Sequence, residues 1–155
     1  MFRGVSACNV DAKGRFAMPT KYRAMIQDSI KNPCVITIDT DDDCLLLYPL
    51  DVWEDIERKL QSMPSLNPQV RRIQRILIGH AQECEMDSQG RFLLAPLLRE
   101  HAGIHKKMVL VGQGKRFELW DETRWVNQRQ QWLDENRQAK AAGENIAEPL
   151  TELSL

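Results

Sequence analysis

Val10-Asp11-Ala12-Lys13-Gly14-Arg15-Phe16-Ala17-Met18-Pro19 returns 76 positions later as Met86-Asp87-Ser88-Gln89-Gly90-Arg91-Phe92-Leu93-Leu94-Ala95. Arg23 and Arg99 keep that offset. Leu47-Tyr48-Pro49-Leu50-Asp51-Val52-Trp53 then matches Leu119-Trp120-Asp121-Glu122-Thr123-Arg124-Trp125 at an offset of 72. Self-similarity at a fixed spacing marks a duplicated unit. Two copies are too few to stack as a solenoid, so the expected fold is one pseudo-twofold α+β body whose halves share a core.

Each copy has the same internal order. Apolar residues flank Asp-x-x-Gly on both sides, which predicts two strands joined locally by a hairpin with the glycine left-handed. Asp11 and Asp87 are placed to accept hydrogen bonds from turn amides, and Gly14 and Gly90 to make the bend. Short helices are expected at 21–27 and 97–101. Strands follow at 34–38 and 44–48 and again at 108–111 and 117–120, the latter two joined by a tight turn through Gly112-Gln113-Gly114-Lys115. A helix closes each copy. Asp51, with Glu54 three positions on, is expected to cap the first closing helix, and Asp121 the second. Asn67-Pro68 opens a connector helix with Val70, Ile73 and Leu77 on one face and Arg71, Arg72 and Arg75 on the other. The chain thus divides into a first unit at 1–64, a helical connector at 65–80, a second unit at 81–137 and a tail at 138–155, Ala-, Gly- and acid-rich and expected to be mobile.

A chain of 155 residues with 43% hydrophobic composition can bury a core. No apolar run approaches a membrane span, and Met1-Phe2-Arg3-Gly4 lacks the apolar stretch of a signal peptide, so a cytoplasmic protein is expected. Cys8, Cys34, Cys44 and Cys84 form no C-x-x-C pair and read as reduced, mostly buried thiols. His80 with Cys84, between Glu83 and Glu85, is the only local cluster resembling metal ligands and lacks further ligands. Asp39, Asp41, Asp42 and Asp43 lack the glycine and terminal glutamate of an EF-hand loop. Neither metal nor cofactor is expected. His80, His101, His105 and the carboxylates at 39–43 make no recognisable nucleophile, base and orienter set, so catalysis is not expected either.

The net charge is −1, yet charge is segregated. Residues 1–38 carry six basic and two acidic side chains, and residues 39–57 eight acidic and none basic. Lys106, Lys107, Lys115 and Arg116 form a further basic block. Basic faces on a bipolar molecule are compatible with nucleic acid.

The repeated Asp-x-x-x-Arg has two readings. In one, Arg merely pairs with Asp across the turn. A surface ion pair is worth only about 0 to 1 kcal/mol, however, a thin reason for two identical hairpins. In the other, a guanidinium on a rigid hairpin donates two parallel hydrogen bonds to guanine O6 and N7, and a two-stranded ribbon fits the major groove. Lys13 and Gln89 lie in the same turns. Lys21 and Arg23 follow closely enough to touch the phosphate backbone. Arg71, Arg72 and Arg75 read as a solvated helix face, and Trp53, Trp120, Trp125 and Trp132 as packing residues.

At these residues the sequence resembles the MraZ family of the AbrB-like swapped-hairpin superfamily. The resemblance covers nearly the whole chain: the opening Met1-Phe2-Arg3-Gly4, both Asp-x-x-x-Arg motifs, Leu45-Leu46-Leu47-Tyr48-Pro49, Arg71-Arg72 and Phe117-Glu118-Leu119-Trp120-Asp121. It implies two tandem swapped-hairpin β-barrel units, ring-shaped homo-oligomers, association with the nucleoid, and repression of the division and cell-wall gene cluster, its own promoter included, through short G-rich direct repeats. By that likeness Arg15 and Arg91 carry recognition of double-stranded promoter DNA, helped by Lys13, Arg3, Lys21 and Arg23, while Asp11, Gly14, Asp87 and Gly90 support the turns. Pro19 becomes Ala95 and Lys13 becomes Gln89, so the two hairpins are not equivalent. Leu45-Leu46-Leu47 and the tryptophans at the helix starts present more apolar surface than one such chain hides, and a closed ring would bury the rest. No membrane and no small-molecule substrate is expected. The rival reading is a structural ring or adaptor whose basic hairpins bind a protein.

Overall fold

The structure is a computed structural model and describes residues 1–29 and 33–153; the last two residues of the expected tail lie outside that set. In chain order the elements are β1 (Phe2–Asn9), β2 (Arg15–Ala17), α1 (Thr20–Ser29), β3 (Pro33–Ile38), β4 (Leu45–Pro49), α2 (Leu50–Gln61), α3 (Pro68–Leu77), β5 (Gln82–Glu85), β6 (Arg91–Leu93), α4 (Pro96–Ala102), β7 (Lys107–Gly114), β8 (Arg116–Asp121) and α5 (Glu122–Ala141), then a 3-10 turn at Glu148–Leu150. They group into two compact units, Met1–Glu122 and Thr123–Leu155. The α+β class is as the sequence predicts.

Within the first unit the two sequence copies interlock. A six-stranded antiparallel sheet has the order β1-β7-β8-β4-β3-β5, and β2 pairs with β6 in a two-stranded sheet. The first strand of each copy therefore pairs with the third strand of the other, and second strands and fourth strands pair with each other. Among the described residues, only β3·β4 and β7·β8 are hairpins within one copy. This corrects the expected local hairpin around Asp-x-x-Gly. Across the turn, Val10, just past β1, bridges to Phe16 of β2, and the two strands then part. The alternation of apolar residues tells a strand which face to bury but not which strand to join.

The core follows from strand composition. Central strands covered on both faces read as continuous apolar runs, and Leu45, Leu46 and Leu47 in β4 are all buried. Leu45 and Leu47 enter a main core with Ile36, Phe117 and Leu119. Leu46 points the other way, with Val35, Tyr48 and Trp53, and is roofed by Leu50, Ile56, Leu77 and Ile78. The tri-leucine segment is thus satisfied inside one chain, which removes it as a reason for a ring. The missing piece was the second face, which α2 and α3 supply.

Asn67 caps α3 as predicted, accepting from the Gln69 and Val70 amides with Pro68 inside the first turn. Asp51 does not cap α2. The helix starts at Leu50 directly after Pro49, with no side-chain cap, and Asp51 Oδ1 accepts from the Val52 amide at 2.8 Å. Strand β4 runs straight into the helix, leaving no loop in which a polar cap would stand. Asp121 ends β8, immediately before α5. That helix continues to Ala141, past the composition change near Arg137, because alanine-rich sequence favours helix as readily as disorder. No helix among the described residues is long and apolar enough to cross a membrane.

Candidate nucleic-acid interface

The turns repeat each other atom for atom. Asp11 Oδ1 accepts from the amides of Lys13 and Arg15 at 2.9 Å each, and Asp87 Oδ1 from those of Gln89 and Arg91 at 2.9 and 2.8 Å. Gly14 and Gly90 close the turns at φ +88° and +76°, a region L-residues rarely enter. The second carboxylate oxygen of each aspartate takes the guanidinium: Arg15 Nε to Asp11 Oδ2 and Arg91 Nε to Asp87 Oδ2, both 2.8 Å. The hydrogen bond from the Arg15 amide, with those from its side chain and Lys13, holds the Asp11 carboxyl below its ordinary value, and Arg91 and Gln89 do the same for Asp87. Both carboxylates are therefore ionised at neutral pH and keep their arginines tethered.

The strands after these turns form the β2·β6 ribbon, with Arg15 opposite Leu93, Phe16 opposite Phe92 and Ala17 opposite Arg91. It is extended at both ends, because the Leu94 amide donates to Gly14 O and the Met18 amide to Gly90 O, both at 2.9 Å. Side chains alternate across a strand. Phe16 and Phe92 face inward and are fully buried, so Arg15, Ala17, Arg91 and Leu93 share the outer face. Both arginines are partly exposed, at 29% and 28%. Each is gripped through Nε, and among the described residues nothing hydrogen-bonds to the terminal nitrogens of either. The ion-pair reading of Asp-x-x-x-Arg is thus correct as geometry, and it engages each partly exposed guanidinium through Nε.

The other predicted residues lie elsewhere. Lys13 is exposed in the first turn. Arg23 is used internally: its Nε donates to Met18 O at 2.6 Å, and the side chain lies on Gly90, where an added Cβ would come within 2.3 Å of Nε. Arg99, its repeat partner, packs on Gly14 in the same way. The shared offset of the two arginines was the signal for this structural pairing. Arg3 stands opposite Gln113, and Tyr22 Oη donates to its carbonyl. Lys21 Nζ approaches Gly4 and lies 4.8 Å from the Tyr22 ring. About 20 Å of extended strand separates Arg3 from Asn9, where the turn begins.

His80 and Cys84 do not come together: His80 Nδ1 contacts Ile76 O at 2.8 Å, and Cys84 Sγ donates to Cys34 O at 3.6 Å. A grouping the sequence did not announce is Asp39, Cys44 and Glu118, whose ligand-type atoms lie within 4.8 Å of one another. Burial and the nearby carboxylates of Glu118 and Asp39 push the Cys44 thiol upward. Burial likewise raises Glu118, which accepts from Trp120 Nε1 at 3.0 Å.

Residues 1–76 and again 77–145 match the family model described as "MraZ protein". Two curated relatives are each called "Transcriptional regulator MraZ". That of Thioalkalivibrio sulfidiphilus is 51% identical over 150 residues, spanning 95% of this chain and 99% of the relative. That of Salmonella paratyphi B is 50% identical over 155 residues and spans all of both.

Proposed function

The chain belongs to the MraZ family, and from that premise we propose that it is a transcriptional regulator that binds promoter DNA sequence-specifically through the β2·β6 ribbon. One observation carries this. Two arginines share the outer face of a two-stranded ribbon, each held through Nε by a turn aspartate, with the terminal nitrogens left for a ligand. A bidentate guanidinium matches guanine O6 and N7, and a two-stranded ribbon fits the major groove. Pre-organisation matters because a tethered side chain loses little rotamer freedom on binding. Arg15 and Arg91 read bases, Lys13 extends the first turn toward the backbone, and Arg3 and Lys21 meet phosphates of a duplex running beyond the ribbon. Arg23 serves the fold.

In this reading the interlocked copies are swapped-hairpin units. One ribbon spans few bases, so affinity comes from several copies in a ring facing successive G-rich repeats, which raises effective concentration. Repression of a division and cell-wall cluster is the role carried over from the family. A gel shift with promoter duplex against excess scrambled competitor separates this regulator from a ring-shaped adaptor: the regulator keeps its shift and the adaptor loses it. Light scattering gives the mass of the assembly.

A further inference from the structure

Beside the first turn a cleft of about 520 Å³ opens between residues 9–12 and a wall of Arg99, His105, Lys106 and Lys107. Its charge is one-sided. The lone carboxylate, Asp11, is already engaged by Arg15 and two turn amides. His105, Lys106 and Lys107 are exposed. Arg99 Nη2 donates to His105 O at 3.0 Å, while its Nε is buried with no hydrogen-bond partner among the described residues. The wall is also held in register with the ribbon. The Val10 amide donates to Lys106 O at 2.8 Å, and Lys107 stands opposite Asn9 in the β1·β7 pairing.

Among the described residues the second turn has no counterpart of Lys107. Where β7 sets Lys107 against Asn9, β3 sets Pro33 against Glu85, and the second turn carries Gln89 in place of Lys13. We propose that the cleft is a phosphodiester cradle that seats the sugar-phosphate backbone of bound DNA and anchors the first turn. The inference rests on the DNA reading above and adds to it a division of labour: the cradle positions the duplex, and the ribbon reads it. Phosphate contacts fix register and orientation but carry no base information.

Competition titrations with promoter and scrambled duplexes of equal length, at several salt concentrations, test the cradle. The proteins are wild type, Lys106→Gln/Lys107→Gln, Lys106→Arg/Lys107→Arg, and Lys59→Gln on the exposed side of α2 as a control. Removing one lysine that neutralises a phosphate flattens the slope of log affinity against log salt by about 0.9. The glutamine pair should therefore flatten it by up to about 1.8 for each subunit engaged on the duplex and weaken both duplexes by the same factor, while the arginine pair and Lys59→Gln keep the wild-type slope. A glutamine pair with wild-type slope and affinity overturns the cradle and leaves the ribbon reading standing. A loss confined to the promoter duplex overturns it too, by making these residues base readers. Wild type binding neither duplex overturns the DNA reading and the cradle with it.

Discussion

Phe16 stands directly opposite Phe92 at the centre of the β2·β6 ribbon, with ring centroids 5.8 Å apart and both side chains fully buried. One residue comes from each sequence copy, so the pair joins the halves and nails the outer face, with Arg15 and Arg91, to the main core. A reader of base edges needs that stiffness, since a ribbon that frays loses the fixed spacing of its two guanidinium groups.

Removing either ring should therefore cost global stability. Phe16→Ala and Phe92→Ala should each lose about 3 to 5 kcal/mol, the usual range for a buried phenylalanine, measured by denaturant unfolding. A loss below about 1 kcal/mol would mean that the ribbon folds independently of the core.

Asp11 is a positioning residue for Arg15. In Asp11→Asn the amide oxygen still serves the turn amides, but the group facing Arg15 Nε becomes a donor. Folding should survive, because an exposed ion pair contributes little to stability. The promoter-to-scrambled affinity ratio should fall while the salt dependence stays as in wild type. An unchanged ratio would show that the tether is only a surface ion pair.

Gly90→Ala should destabilise more than Gly14→Ala. Both force a side chain into left-handed backbone, which costs about 1 to 2 kcal/mol. At Gly90 the new Cβ would also stand 2.3 Å from Arg23 Nε, whereas at Gly14 the nearest atom, Arg99 Nη1, is 3.0 Å away. Thermal melts of both variants, of Arg23→Ala and of Gly90→Ala/Arg23→Ala check this. The double variant should lose less than the sum of the singles, and strict additivity would contradict the packing of Arg23 on the turn.

Glu118 gives a pH signature. Burial raises its carboxyl, so the folded state disfavours the charged form. A group whose folded pKa is raised contributes stability below its unfolded value, about 4.3 for glutamate, and loses it as pH rises through the folded value. Glu118→Gln removes that loss and still accepts from Trp120. Its melting temperature should gain on wild type between about pH 4.5 and neutrality. A difference that stays constant with pH would place the ionised carboxylate in a satisfied site.

The parts of this molecule that were legible in the sequence are the local ones. The spacing of Asp11, Gly14 and Arg15, repeated at Asp87, Gly90 and Arg91, specifies turns whose hydrogen bonds close within five residues. Asn67-Pro68 likewise announces its own helix. What was not legible depends on partners far along the chain. Phe2 pairs across to Gly114, and nothing in β1 encodes that choice. Arg23 looks like a free cation until Gly90 is placed beneath it. Glu118 looks like a surface residue until β8 is found to bury that position against Cys44 and Asp39. Leu45-Leu46-Leu47 reads as unsatisfied until α2 and α3 cover the second face of β4.

The central claim, that the guanidinium groups of Arg15 and Arg91 read guanine in the major groove, is tested most directly by 7-deazaguanine, which removes the N7 acceptor and leaves base pairing intact. Competition titrations of wild type and Arg15→Ala/Arg91→Ala would use the promoter duplex with and without this replacement in its G-rich repeats. Wild type should lose about 1 to 3 kcal/mol of binding free energy for each bidentate pair so disrupted, while the double variant binds both duplexes equally and weakly. Wild type binding both duplexes with the same affinity would contradict the account.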